Sequence, residues 1–190
     1  MKSIVTALIF VLVACGVTDA QDEPGPGFEH LKCYGPFIGT WRYEGPLLKS
    51  VPDIAEKGTK VVTQLSWRRI LNKSAVEYNW SATFEGGVEL SGKALIGWNA
   101  DEEKIVYGSM NSVGDLNWGT VTPDATARTL TKTSKGVNGK GEEKSSETVL
   151  TKTGKDTLTS QALERKGGIV EGPSPPYTLK RVERAKKKTE

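Results

Sequence analysis

Between Val76 and Phe84 apolar and polar residues alternate, with Val76, Tyr78, Trp80, Ala82 and Phe84 set against Glu77, Asn79, Ser81 and Thr83. Successive side chains of an extended strand point to opposite faces, so this spacing makes one face apolar and the other polar. The next segment repeats the device, with Val88, Leu90, Gly92, Ala94, Ile96 and Trp98 against Glu89, Ser91 and Lys93. A period of two held over such lengths predicts half-buried antiparallel strands. Ten strands are read this way, at 38–44, 60–71, 74–84, 88–98, 104–110, 116–121, 127–134, 144–152, 156–164 and 176–183.

Short polar turns separate most of them, among them Glu85-Gly86-Gly87, Val113-Gly114-Asp115 and Asn138-Gly139-Lys140-Gly141. Connections this short join neighbours into hairpins, because a parallel crossover needs a dozen residues or more. An open meander of ten strands would expose two edges, and closure removes both. The expected fold is therefore all-β, a single antiparallel up-and-down barrel. All five Trp lie in the first six of these strands, between Trp41 and Trp118, whereas the strands from Ala127 to Glu164 are rich in Thr, Ser and Lys. That asymmetry predicts one well-packed wall and one thinner wall.

Two connections are longer. Gly45 to Lys60 contains Leu47, Leu48, Val51 and Ile54, too apolar for a wholly solvated loop. It is expected to fold across an open mouth as a lid or short helix, or to pack as a compact loop on the outside. The second runs from Lys166 to Pro176. Before the barrel, Glu29 to Pro36 has room for about one helical turn, given about 3.6 residues per turn.

The chain opens with Lys2, an apolar run from Ile4 to Ala14, then small residues and the acidic, Pro/Gly-rich QDEPGPGF. This is the pattern of a secretory signal peptide, and the run is far shorter than the ~20 residues a membrane span requires. Two cuts are open. Leu12-Val13-Ala14-Cys15 resembles a bacterial lipobox that would make Cys15 a lipidated first residue, and Thr18-Asp19-Ala20 resembles an ordinary cleavage site. The expected organisation is a signal peptide over 1–20 (or a lipoprotein signal over 1–14), a linker over 21–29, a barrel over 30–183 and a basic tail over 184–190. Export to the periplasm or outside the cell follows, with or without a lipid anchor and with no membrane span. Removing 1–20 takes away Lys2 and Asp19, so the formal charge stays at +3. The basic run Lys180 to Lys188 is a solvated end or a weak contact for anionic surfaces; nucleic acid is not an expected partner.

Phe37-Ile38-Gly39-Thr40-Trp41-Arg42-Tyr43-Glu44-Gly45, at the head of the meander, resembles the Gly-x-Trp signature of calycin-like barrels: lipocalins, fatty-acid-binding proteins and haem-binding nitrobindins. Here Tyr43 replaces the middle Gly of the nitrobindin form. Over about residues 30–183 the chain also resembles exported bacterial proteins of unknown function that begin with a Gly-Thr-Trp strand. The resemblance implies a structural role for Gly39 and Trp41 at the closed end, with a basic residue of the last strand, Arg181 or Lys180, over the indole. Arg181 is the better candidate, because it shares strand phase with Tyr177 and Leu179.

Chemistry is sparse. A nitrobindin holds haem through a late His, and the single His here, His30, precedes the first strand, so haem is not expected. Cys33 lies three residues on; the pair could activate the thiol, but a packed or idle thiol is the plainer reading. No CxxC, HExxH or EF-hand pattern occurs, and neither a metal nor a catalytic set is expected. In the strand from Lys60, Arg69 shares a face with Trp67. Either it points inward to meet an anion, or a bulge at Arg68-Arg69 turns both outward, the plainer alternative. The aromatic set Trp67, Tyr78, Trp80, Phe84, Trp98, Tyr107 and Trp118 either lines a pocket or fills the interior as core. The leading expectation is a non-catalytic barrel binding a small, largely apolar ligand through Trp67, Arg69, Tyr78, Trp80, Trp98 and Tyr107. The alternative is a filled barrel acting as an envelope structural or protein-interaction module.

Overall fold

The structure, a computed structural model, describes residues Glu23 to Glu183; the segment read as a signal peptide, Cys15 and the tail from Arg184 lie outside the described residues. Ten strands follow one short 3-10 helix, Lys32–Phe37. They are β1 (Gly39–Pro46), β2 (Lys60–Ile70), β3 (Ala75–Phe84), β4 (Glu89–Asn99), β5 (Lys104–Asn111), β6 (Leu116–Pro123), β7 (Thr129–Val137), β8 (Glu143–Gly154), β9 (Thr157–Lys166) and β10 (Tyr177–Arg181). Each pairs antiparallel with its neighbours in sequence, and β1 pairs with β10 to close the barrel. The up-and-down barrel expected from the alternation is the observed fold.

One end is plugged. Leu31, Tyr34 and Phe37 recur every third residue, which puts all three on one side of a 3-10 turn, and all three are buried. The helix includes Gly35 and Pro36. It lies against Trp41, whose side chain has no solvent exposure and whose Nε1 donates to the Phe37 carbonyl at 2.8 Å.

Two cations cover that indole. The Arg181 guanidinium sits 4.1 Å and the Lys152 ammonium 4.4 Å from the ring, whereas Lys180 is exposed. Trp41 and Arg181 are cross-strand partners, so the contact spans the seam between the first and last strands. Arg181 also donates to the carbonyls of Ile38 (2.9 Å) and Pro36 (3.4 Å), fastening the plug to β10. The conformation of Gly39 explains its place two residues before Trp41. Its φ is +124°, which L side chains rarely adopt, and a Cβ would lie 2.5 Å from Arg181 Nη1.

The opposite mouth is covered by the two long connections. The β1–β2 loop forms no helix; it holds one isolated bridge, Val51 to Ala55. Val51 packs with Val61 and Phe84, and Leu47, Ile54 and Val170 close around them. Lys49 Nζ ties the two loops together by donating to the carbonyls of Glu171 and Pro173 in the β9–β10 connection. Of the outside and across-the-mouth alternatives, the loop takes the second.

At the plugged end, Trp41→Ala removes a fully buried indole, one hydrogen bond and the support of two cations. The expected cost is about 3 to 5 kcal/mol in urea unfolding, with Trp41→Phe costing less.

Candidate functional site

Between plug and lid the barrel holds a cavity of about 460 Å³, inside the range of roughly 300 to 1,000 Å³ typical of small-molecule sites. Its floor is Tyr34 and its roof includes Leu47, Leu48, Val51 and Val170. The interior is therefore a lined space and not a filled core.

One wall is apolar. Leu65 and Trp67 of β2, Tyr78, Trp80 and Ala82 of β3, and Ala94 and Ile96 of β4 face the cavity. Trp67 and Tyr78 are cross-strand partners and stack, with ring centroids 4.8 Å apart. Trp80 lies across β4 at Gly92, where a Cβ would come 2.3 Å from the indole nitrogen. A side chain there would displace the ring.

Of the residues expected at a ligand, Trp67, Tyr78, Trp80 and Tyr107 line the cavity, whereas Arg69 and Trp98 do not. The β2–β3 register is continuous through Arg69 and Val76, so no bulge turns the arginines outward. Arg69 instead sits beyond the plug, under the N-terminal segment. Its guanidinium stacks 4.7 Å from the Phe28 ring and Nη2 donates to the Leu31 carbonyl at 3.3 Å. Trp98 occupies the same end, where the exposed His30 ring stacks flat on it at 3.6 Å. Both keep the strand phase read from sequence; they miss the cavity because the plug crosses the barrel above them. Phe84 lines the mouth, and Trp118 is on the outer face, 52 % exposed. The Cys33 Sγ donates to the His30 carbonyl at 3.7 Å, and burial pushes its thiol up, opposite to what an activated nucleophile needs.

The second wall is polar, and most of it was not singled out from sequence. Register places Tyr107, Gly119, Ser134, Ser146 and Arg165 in one cross-strand row from β5 to β9. Tyr107 stands near Tyr34 of the plug, and Arg165 Nε donates to the Gly172 carbonyl of the lid at 3.1 Å. The row thus climbs from floor to mouth. Lys132 lies one inward step below Ser134, and Lys144 one above Ser146.

A bulge sets the upper end of that row. Thr148 pairs with Ala162 but Glu147 pairs with Glu164, which leaves Leu163 over and shifts the phase of β9 by one residue. Strict alternation from Leu158, Ser160 and Ala162 would have put Glu164 inside. The bulge sends Leu163 and Glu164 outward and puts Arg165 in the cavity wall instead. Lys132 was legible: Leu130, Lys132, Ser134 and Gly136 share the face that the buried Leu130 fixes as inward. Nothing in local sequence marks the bulge.

The charges are unbalanced. Asp115, the one acid among the described lining residues, is already paired with Lys144 and accepts from Asn111 Nδ2 at 3.0 Å. Among the described residues Lys132 makes no ion pair; its ammonium stands 5.2 Å from the Tyr107 ring centroid. Enclosure by protein, with Lys144 nearby, lowers its pKa to about 8. The Tyr107 hydroxyl and Arg165 Nη2 are buried with no hydrogen-bond partner among the described residues. Burial pushes the Tyr107 phenol up, offset in part by the Ser134 hydroxyl. No group of three or more His, Cys, Asp or Glu among the described residues is placed to hold a metal.

Compared with known protein families and with curated proteins, the chain matches none.

A buried ammonium without a counter-charge costs stability, so Lys132→Met is expected to stabilise the empty protein near pH 6 by on the order of 2 kcal/mol. The penalty disappears with deprotonation. The amine ionises near 10.4 in the unfolded chain and at about 8 in the folded one, so wild-type stability rises across that window and the variant's advantage fades. Urea unfolding of both proteins at pH 6 and pH 10 measures it.

Proposed function

We propose that this barrel binds one small, largely apolar molecule in its interior and carries it without transforming it, as an exported protein. The observation that supports this is the cavity of about 460 Å³ between plug and lid, walled by Trp67, Tyr78, Trp80 and Ile96. A space of this size and lining gains stability by exchanging its contents for an apolar molecule, at ~25 cal/mol per Å² of apolar surface buried. Export rests on the N-terminal pattern of Lys2 and the apolar run Ile4 to Ala14. The calycin-like resemblance of the Gly39-Thr40-Trp41 strand fits carriage, although one scaffold hosts many functions.

A second reading, a protein-interaction module, has its own observation. Leu95, Met110, Leu116 and Trp118 are all about half exposed and lie side by side across the outer face of β4, β5 and β6. The cavity weighs against it, since an interaction module has no use for an unfilled interior.

Native mass spectrometry of protein purified from its own host, followed by solvent extraction, tests carriage. A reproducible small-molecule adduct is expected, and Ala82→Trp, which fills the upper cavity, should abolish it while leaving the unfolding transition cooperative. Absence of any adduct, together with no uptake of a neutral fluorescent probe, rejects carriage.

A further inference from the structure

We propose that the molecule this barrel carries is an amphipathic acid, bound with its anionic group against the Lys132 ammonium and the Tyr107 hydroxyl and its apolar body along the β2–β4 wall. The proposal rests on the carriage reading and specifies the chemistry of the cargo. Three donors face the cavity with no ion pair among the described residues: Arg165 Nη2, which is unbonded, Lys132 Nζ, which has only the Tyr107 ring, and Tyr107 Oη, which has only the Ser134 hydroxyl beside it. The one lining acid, Asp115, is already taken by Lys144. A neutral apolar guest would leave that positive excess sealed from water, at the cost of uncompensated buried charge. An anion removes the cost, and the favourable change appears only in the complex.

The two walls fix the orientation. Lys132 and Tyr107 lie toward the Tyr34 floor, while Arg165 lies at the lid, where its Nε is held by the Gly172 carbonyl. The deep pair is the more enclosed, and no protein group neutralises it. Ser134, bonded to Ser146 Oγ at 2.7 Å, stands beside the pair as a further hydroxyl. The charged and titratable groups around Lys132 are Tyr107 of β5, which has Tyr34 of the plug beyond it, and Lys144 of β8 with Asp115 upon it. None is an acid free to take the place of a bound anion. Because Lys132 loses its proton above pH about 8, acid affinity should decline over the same range.

The test is displacement of the neutral fluorophore N-phenyl-1-naphthylamine by dodecanoate and by dodecan-1-ol, a pair differing in the charged head. Wild type is expected to bind the acid at least about tenfold more tightly than the alcohol at pH 7, the scale of one charge-assisted hydrogen bond. Lys132→Met should erase that ratio while retaining the alcohol, and Tyr107→Phe should reduce it in part. Equal affinities for acid and alcohol in wild type, or a ratio that survives Lys132→Met, overturn the acid proposal and leave carriage standing. If wild type binds neither the fluorophore nor either dodecyl compound titrated directly, and yields no adduct, carriage fails and this proposal fails with it.

Discussion

The contact between the Trp41 indole and the Arg181 guanidinium is the constraint on which the rest of this barrel depends. It joins the first strand to the last, where a meander has no covalent connection and the ladder is short, with only Trp41 facing Arg181 and Arg42 facing Lys180, so the side-chain contact reinforces the closure. The same guanidinium donates to two carbonyls of the N-terminal plug. One residue therefore closes the seam and seals the end, and Gly39 is the price in backbone conformation for the room it needs.

Sealing one end gives the barrel a direction. The plug places Tyr34 as a floor and isolates everything below it, including Arg69 and Trp98, from the interior. Only the far mouth remains, and the lid loops over it are held by polar ties, Lys49 and Arg165 reaching backbone carbonyls and Ser174 bonded to the backbone of Ala162. Only the Lys49 ties cross between the two loops, and the apolar cluster beneath them, Val51, Val61 and Phe84 with Leu47, Ile54 and Val170 around it, has fewer buried members than the core that the plug joins. Local opening costs least where buried contacts are fewer, so a molecule carried as proposed would enter at the lid and not at the plug.

Within the cavity the walls divide by sequence half. The aromatic strands β2 to β4 supply a stacked apolar face. The Thr, Ser and Lys-rich strands β7 to β9, which read from sequence as a thin wall, instead supply the polar row that meets it. Short hydroxyl side chains leave the space that large ones would fill, and the long side chains of Lys132 and Arg165 reach into it. Thinness of packing and polarity of the site are here the same property.

The alternation of apolar and polar residues determined the strand count, the hairpin order and the inward phase of each regular strand, because a strand's two faces follow from backbone geometry alone. It also placed Trp67, Tyr78, Trp80 and Tyr107 inward, and Lys132 was within its reach through Leu130. Tertiary structure decided how far along the axis each inward residue sits relative to the plug. That height separates Tyr78, in the cavity, from Arg69 and Trp98 beneath it. It also decided the β9 bulge, which exchanged Glu164 for Arg165 in the wall. Both depend on how the strands stagger and on what crosses the barrel, which are relations between distant segments and leave no mark on a local period of two.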